Sequence, residues 1–394
     1  MKTVGVGVIA LGWMGRLHAR GYRAITERYP ELGVRVRLVA AADTAEQNRT
    51  DAVEVLGFER AYADYRDLLA DPDVEAVSIC APNFLHHEIA LAAIAAGKPF
   101  WIEKPMGVSA AQSADIARGA HAAGLATSVG FNYRHMPAVM KARELVRSGA
   151  LGRITNARVS LLADYASSPE GPLTWRYSKA QAGSGIVGDL LSHGSDLVHF
   201  LVGRISEVTA MTGTFIDTRP IPLGVGIGHS AVAVSDERGP VENEDYVGVL
   251  ARTDGGVLCT LESSRVSVGP RAEYIVEIYG TGGSVRWNFE HPNHLQVVTA
   301  AGAAHSGYVS VMTDASYGDY ARFQPVAGMT MSFDDAKTVE AKLFLESMLH
   351  GRQVAPSAAD GWAAAEVAEA IVRSATDGRW HPVPVVSGRT TYDQ

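Results

Sequence analysis

Between residues 4 and 131, short apolar runs alternate with longer amphipathic stretches, the pattern of parallel strands joined by helical crossovers. Strands are predicted over 4–9, 36–42, 76–80, 100–103 and 127–131. Between them a helix over 84–96 stops at Gly97, and another over 109–123 opens on a Ser109-x-x-Gln112 capping box and stops at Gly124. Pro137 is placed to open a helix over 138–148, closed by Gly149, and there the alternation ceases. The expected division is therefore an N-terminal domain of residues 1–135 and a second domain of 136–394. In the second, most segments have strand character, among them 247–250, 257–262, 274–279 and 284–288. A helix over 188–201 interrupts them, and helices over about 335–349 and 358–374 close the chain. Strands in series predict a large, mostly antiparallel sheet, so the fold class is an α/β domain followed by an α+β domain. The stretch 217–240, rich in Pro and Gly, is long for a loop and reads as an insertion over a site or an interface.

A length of 394 residues agrees with at least two domains. With 47% hydrophobic and 20% charged residues and a mean hydropathy of +0.02, the composition is globular, which sets aside disordered and fibrous classes. The net charge of -8 is spread without long like-charge runs, so no nucleic-acid partner is expected. Cys80 and Cys259 are too few for a disulfide framework and form no CxxC pair. Both read as buried strand residues in a reducing compartment. The apolar start is broken by glycines and lacks a charged leader, and no window nears the roughly 18 apolar residues of a membrane span. A cytoplasmic protein without membrane insertion is expected.

The candidate chemistry begins at Ala10-Leu11-Gly12-Trp13-Met14-Gly15, between the first strand and an amphipathic helix. A glycine turn there lets backbone N–H groups and a helix N-terminus approach a pyrophosphate, as in a dinucleotide-binding Rossmann domain. The first glycine of the usual G-x-G-x-x-G is Ala10, which a turn residue with φ below zero tolerates and a left-handed one resists. Asp43, at the end of the second strand, is placed to accept hydrogen bonds from adenosine ribose hydroxyls and to repel a 2'-phosphate. No Arg follows it directly, so the cofactor expected is NAD and not NADP.

Further on, Ala81-Pro82-Asn83 with His86, Glu103-Lys104-Pro105, Gly130-Phe131-Asn132-Tyr133-Arg134, and Asp189 with His193 occur in an order that resembles the Gfo/Idh/MocA oxidoreductases. That family includes glucose-fructose oxidoreductase and inositol dehydrogenases. The resemblance covers most of the chain. It implies a Rossmann domain, an open-faced sheet domain that mediates homodimers or homotetramers, and a cofactor in the crevice between domains. It implies further that Lys104 contacts cofactor and reacting hydroxyl, and that Ala81, Pro82, Asn83, His86, Glu103, Asn132, Trp175 and Arg176 lie at the cofactor with Ala10, Gly12, Trp13, Met14 and Asp43. Tyr133, Arg134 and Tyr165 are expected to face substrate, although the charge of Arg134 is satisfied equally by an anionic substituent or a structural carboxylate.

The residues support the same roles independently. Lys104 follows the carboxyl end of a strand, where open α/β sheets bind ligands, and its ammonium suits an oxygen that gains negative charge. Asp189 and His193 stand at i and i+4 of one predicted helix, so a carboxylate can orient a histidine that accepts a proton near neutral pH. Asp196 lies one turn on, yet no further histidine spacing completes a metal site, and none is expected. The chain departs from the family's Asp-x-Gly-x-His by carrying Leu191, which puts bulk where close approach to the nicotinamide is usual.

These residues fit hydride chemistry at a carbinol carbon of a sugar, inositol or related polyol. A redox-neutral glycosidase that oxidises transiently, eliminates and adds water would use the same Lys, Asp and His. A non-catalytic NAD- or sugar-binding protein is the third alternative.

Overall fold

The apolar runs of the first third form six parallel strands, β1 (Lys2–Ile9), β2 (Val34–Ala42), β3 (Arg60–Tyr62), β4 (Ala76–Ile79), β5 (Phe100–Ile102) and β6 (Thr127–Val129). Their order is β3-β2-β1-β4-β5-β6. Covered on both faces, they read as continuous apolar segments, and Val4, Val6 and Val8 of β1 are fully shielded. The crossovers are α1 (Trp13–Arg28), α2 (Glu46–Glu54), α3 (Tyr65–Ala70), α4 (Asn83–Ala95) and α5 (Ala110–Ala122). The hydroxyl of Ser109 accepts the Gln112 N–H at 3.3 Å and so caps α5. β3 escapes the sequence pattern because three half-buried residues are too short to show a period. The strand order reverses between β1 and β4, and the carboxyl ends of those strands flank the switch point where doubly wound sheets bind ligands.

The remainder of this computed structural model, which describes residues 1–224, 232–299, 307–388 and 391, is dominated by strands. After α6 (Pro137–Arg147) comes β7 (Ile154–Leu162), a π-helical turn at Val187–Leu191 and α7 (Ser192–Val202). Then follow β8 (Ile205–Gly213), β9 (Thr218–Pro222), β10 (Val234–Pro240), β11 (Tyr246–Thr253), β12 (Leu258–Ser264), β13 (Glu273–Gly280), β14 (Ser284–Asn288), β15 (His294–Val298) and β16 (Val309–Met312). Helices α8 (Phe333–His350) and α9 (Ala358–Asp377) precede a short β17 (His381–Pro382). One sheet runs β16-β15-β14-β13-β7-β12-β11-β8-β17. Its pairs are antiparallel except β7 with β12. The insertion at 217–240 is a separate antiparallel hairpin of β9 and β10, and its residues 225–231 lie outside those described.

Burial alternates along β11, where Val247, Val249 and Ala251 are inside and Leu250 is outside. The covered face carries α7, and a Cβ on Gly194 would come within 3.2 Å of Val159 and Leu161, so α7 rests closely on β7. On the other face Met211, Leu250 and Leu258 are all more than half exposed. Register places them together, since Met211 pairs with Gly248 and Leu258 with Arg252.

The chain divides into two compact units. The first comprises Met1–Asn132, Ser332–Trp362 and Val386–Gln394, the second Tyr133–Met331 and Ala363–Val385. The first break falls close to residue 135, but the expectation of one domain over 136–394 is corrected, because α8 belongs with the first unit. The reason is close packing: a Cβ on Gly21 of α1 would lie 3.2 Å from the Lys337 carbonyl oxygen of α8, so these helices meet backbone to backbone.

Candidate functional site

In the first unit β1 runs into Ala10, whose φ of +67° is left-handed, the one non-glycine positive φ among the described residues. Of the two conformations weighed above, this is the one that an alanine resists. The Ala10 N–H is tied to the Ala42 carbonyl at 2.8 Å, and its carbonyl oxygen lies 2.0 Å from where a Cβ of Gly15 would stand. The turn is thus set by β2 on one side and α1 on the other. An alanine there carries about 1–2 kcal/mol of left-handed strain. Ala10→Gly relieves it and returns about 0.4–1 kcal/mol through the unfolded chain. A rise in melting temperature worth up to about 1 kcal/mol is expected, and a lower melting temperature would contradict the strain.

Gly12 caps α1, and a Cβ added to it would meet nothing within 4 Å. The first turn of this 16-residue helix, which holds Trp13 and Met14, has no acidic residue, so its positive end suits an anion. The Trp13 indole stacks on Phe333 with centroids 5.5 Å apart. Asp43 lies beside this loop: its Oδ2 accepts the Leu11 N–H at 2.7 Å and the Asn48 amide at 3.1 Å, and Oδ1 accepts the Ala45 N–H at 2.9 Å. Three of the roughly four lone-pair sites of a carboxylate are used, which leaves capacity for a ribose hydroxyl. The nearby arginines are engaged elsewhere, Arg49 with the carbonyls of Asp43 and Thr44 and Arg16 with Asp51. Past β6, Asn132 is buried and its Nδ2 makes no hydrogen bond within the protein. That donor fits an acceptor on a bound nucleotide.

At the end of β4, Asn83 begins α4 half-exposed. Cys80 just before it is only partly buried and lies outside the strand, unlike the buried strand residue expected, whereas Cys259 is buried in β12. His86, expected at the cofactor, instead sets its two ring nitrogens 2.8 and 2.7 Å from the carbonyl oxygens of Pro105 and Ala81. It braces the ends of β4 and β5, and burial draws its pKa below the histidine norm.

Glu103, also expected at the cofactor, is anchored in the interior. Its Oε1 accepts from Lys337 at 2.5 Å and lies 3.0 Å from His18 Nε2. Lys337 also meets Glu340 at 2.8 Å, and His18 stacks on Trp101 with centroids 3.4 Å apart. Burial opposes ionisation of Glu103, but Lys337 and His18 outweigh it and hold the carboxyl well below its usual range. Burial pushes His18 down to about 4 against the pull of Glu103. Lys104, next along, is half-buried.

In the second unit the expected helix over 188–201 begins as the π-helical turn that holds Asp189 and becomes α-helical only at Ser192. Such π turns recur at functional sites. His193 is 5% exposed and meets the Tyr133 ring edge-on at 4.6 Å. Tyr274 and Phe289 close an aromatic cluster around Tyr133, at 5.4 and 5.0 Å. Tyr165, expected at the substrate, donates its hydroxyl hydrogen to Asp189 Oδ2 at 2.8 Å. Burial, reinforced by Asp189, raises the Tyr165 pKa well above the tyrosine norm, so it remains a donor. The same two causes raise that of Tyr274.

Arg134 receives the structural carboxylate of its two possible partners. Its Nε donates to Asp196 Oδ2 at 2.7 Å, and Nη2 donates to Oδ1, with both side chains buried. The guanidinium and the carboxylate form a bidentate pair. Trp175 and Arg176 form a short turn in which the guanidinium lies over the indole at 4.4 Å. The bulk of Leu191 is absorbed inside, since the side chain is fully buried.

The sequence does not single out Tyr274, Phe289, His18 or Lys337. An isolated aromatic or charged residue on a strand or helix carries no local mark of the partner that folding brings to it.

A model of an oxidoreductase family with an NAD-binding Rossmann fold matches residues 4–131, and one of the GFO/IDH/MocA C-terminal domain matches residues 139–286. Levoglucosan dehydrogenase of Pseudarthrobacter phenanthrenivorans is 34% identical over 390 residues, covering 98% of this chain and 100% of its own. An inositol 2-dehydrogenase of Streptomyces avermitilis is 30% identical, over 96% and 93% of the two chains. The solved structure of a levoglucosan dehydrogenase with NADH and L-sorbose superposes with a TM-score of 0.92 at 32% identity, covering 98% of this chain and 100% of that one.

Proposed function

Because the chain belongs to the GFO/IDH/MocA family of NAD-binding oxidoreductases, we propose that it is an NAD-dependent dehydrogenase of an uncharged cyclic sugar, anhydrosugar or inositol. The observation that carries the reading is the Tyr165–Asp189 hydrogen bond four residues before His193, in a chain that matches a levoglucosan dehydrogenase end to end. It supplies a carboxylate held by a neutral donor, as a base pair at a hydroxyl requires. With Arg134 committed to Asp196, an uncharged polyol is favoured over an acid.

In this reading the Gly12 turn and the start of α1, with Trp13 and Met14, hold the pyrophosphate of NAD. Asp43 receives the adenosine ribose, and Asn83, Asn132, Trp175 and Arg176 serve the nicotinamide end. NAD, when bound, is the two-electron acceptor for the carbon-bound hydrogen. His193 takes the hydroxyl proton at its imidazole nitrogen while Asp189 orients the ring and supports its positive charge. Lys104 donates to the same oxygen and offsets the negative charge that grows there. Tyr133 fixes one side of the imidazole. The apolar side chains Met211, Leu250 and Leu258 on the outer sheet face support a homodimer or homotetramer.

The test incubates the purified protein with NAD and a panel of anhydrosugars, aldoses, inositols and aryl glycosides, following NADH absorbance and aglycone release together. NADH formation on an unmodified ring polyol is expected. Aglycone release without NADH would replace the reading by redox-neutral glycoside cleavage. Repeating the assay with NADP tests Asp43: a preference for NADP of roughly tenfold, about 1.4 kcal/mol, would remove that residue from ribose recognition.

A further inference from the structure

Arg219 of β9 is fully buried, and among the described residues no carboxylate lies within ion-pair distance of it. A buried guanidinium so placed is costly unless other groups satisfy it. Here main-chain oxygens do so: Nη2 donates to the Ala166 carbonyl at 2.5 Å and Nη1 to the Ser168 carbonyl at 2.8 Å, while Nε finds no partner. The guanidinium also lies over the Tyr177 ring at 4.4 Å. The chain therefore retains an expensive charge in the interior to hold one short main-chain segment.

That segment follows Tyr165 directly. The Ala166 peptide is held on both sides, its N–H by the Arg265 carbonyl at 3.0 Å and its carbonyl by Arg219. Arg265 is itself fixed by Asp245 at 2.8 Å and by the Asn243 side chain at 2.9 Å. With the next peptide clamped, the Tyr165 side chain starts from a fixed origin, and its hydroxyl ends on Asp189 Oδ2. The β9–β10 hairpin adds a second staple, since Arg238 donates to the Pro169 carbonyl at 2.7 Å and the Leu173 N–H to the Pro220 carbonyl at 2.8 Å.

We propose that Arg219 is a positioning residue for the reaction: from the inserted hairpin it locks the main chain after Tyr165, so that the Tyr165 hydroxyl holds Asp189 in the orientation that serves His193. The proposal rests on the Asp189–His193 reading above. It gives the insertion over 217–240 a task at the site, exerted through the 165–168 segment without contact to substrate.

The test is a double-mutant cycle in the full chain with Arg219→Met, Tyr165→Phe and the pair, measuring kcat, the KM of the best panel substrate and NADH affinity by fluorescence titration. Each single change is expected to lower kcat roughly tenfold or more, as loss of a hydrogen bond to a charged group does. NADH affinity should not change, and the pair should be no slower than Tyr165→Phe alone. Arg219→Lys, which keeps the charge but loses the planar fork that places one nitrogen on each carbonyl, should fall between wild type and Arg219→Met. If Arg219→Met does not fold, Arg219→Lys takes its place, and its loss should vanish in the Tyr165→Phe background. Losses that multiply, or NADH affinity that falls in step with kcat, or an unchanged kcat would each overturn the proposal. His193→Ala is assayed alongside. If it retains turnover, the underlying base assignment fails; if it is inactive while the cycle multiplies, only the role of Arg219 fails.

Discussion

His193→Ala is expected to lower kcat by about a hundred- to ten-thousandfold, the range that general-base catalysis supplies, with NADH binding retained. Lys104→Ala is expected to cost about a hundred- to a thousandfold, the scale of one donor to a developing oxyanion. In the proposed function the two groups serve one oxygen, one by removing its proton and the other by stabilising the charge left behind. The combined variant should therefore lose less than the product of the single losses, because groups that act as a unit are not additive. Steady-state kinetics and a fluorescence titration with NADH check all three variants. A kcat for Lys104→Ala close to wild type would remove Lys104 from the reaction, and a fully multiplicative double variant would separate the roles assigned to the pair.

Lys337→Met is expected to be the most damaging change far from that chemistry. It leaves Glu103 and Glu340 as carboxylates in the interior without the ammonium that both contact. Breaking a buried pair by removal of one partner costs about 3–5 kcal/mol, a large part of the roughly 5–15 kcal/mol that a folded protein has. The melting temperature should fall by roughly 5 °C. Glu103→Gln combined with Lys337→Met should be less unstable than the sum of the single changes, because the glutamine no longer requires the missing charge. A melting temperature for Lys337→Met within a degree or so of wild type would show the network to be dispensable. Since Glu103 directly precedes Lys104, kcat of the surviving fold reports whether the anchor also sets the lysine.

How far such features can be read before folding depends on the range of the interaction. The glycine turn, the capping box at Ser109 and the alternation of strands with crossovers are local, so periodicity and turn chemistry disclose the doubly wound sheet and the antiparallel second sheet. The reactive candidates Lys104, Asp189 and His193 are legible for the same reason, each standing beside a recognisable strand end or a one-turn spacing. Only the three-dimensional arrangement assigns their supports. Glu103 meets Lys337 across 234 positions of chain, Arg134 meets Asp196 across 62, and Arg219 reaches the Ala166 carbonyl across 53. Nothing in a residue's immediate neighbours records such a partner, because burial and charge compensation are settled when distant segments pack. Sequence by itself determined the fold class and the cofactor class and supplied the reactive candidates. Tertiary structure decided that Glu103, His86 and Arg134 spend their polar groups inside the protein, that Tyr165 serves Asp189, and that Ala10 takes a strained left-handed turn between two elements that leave it no other path.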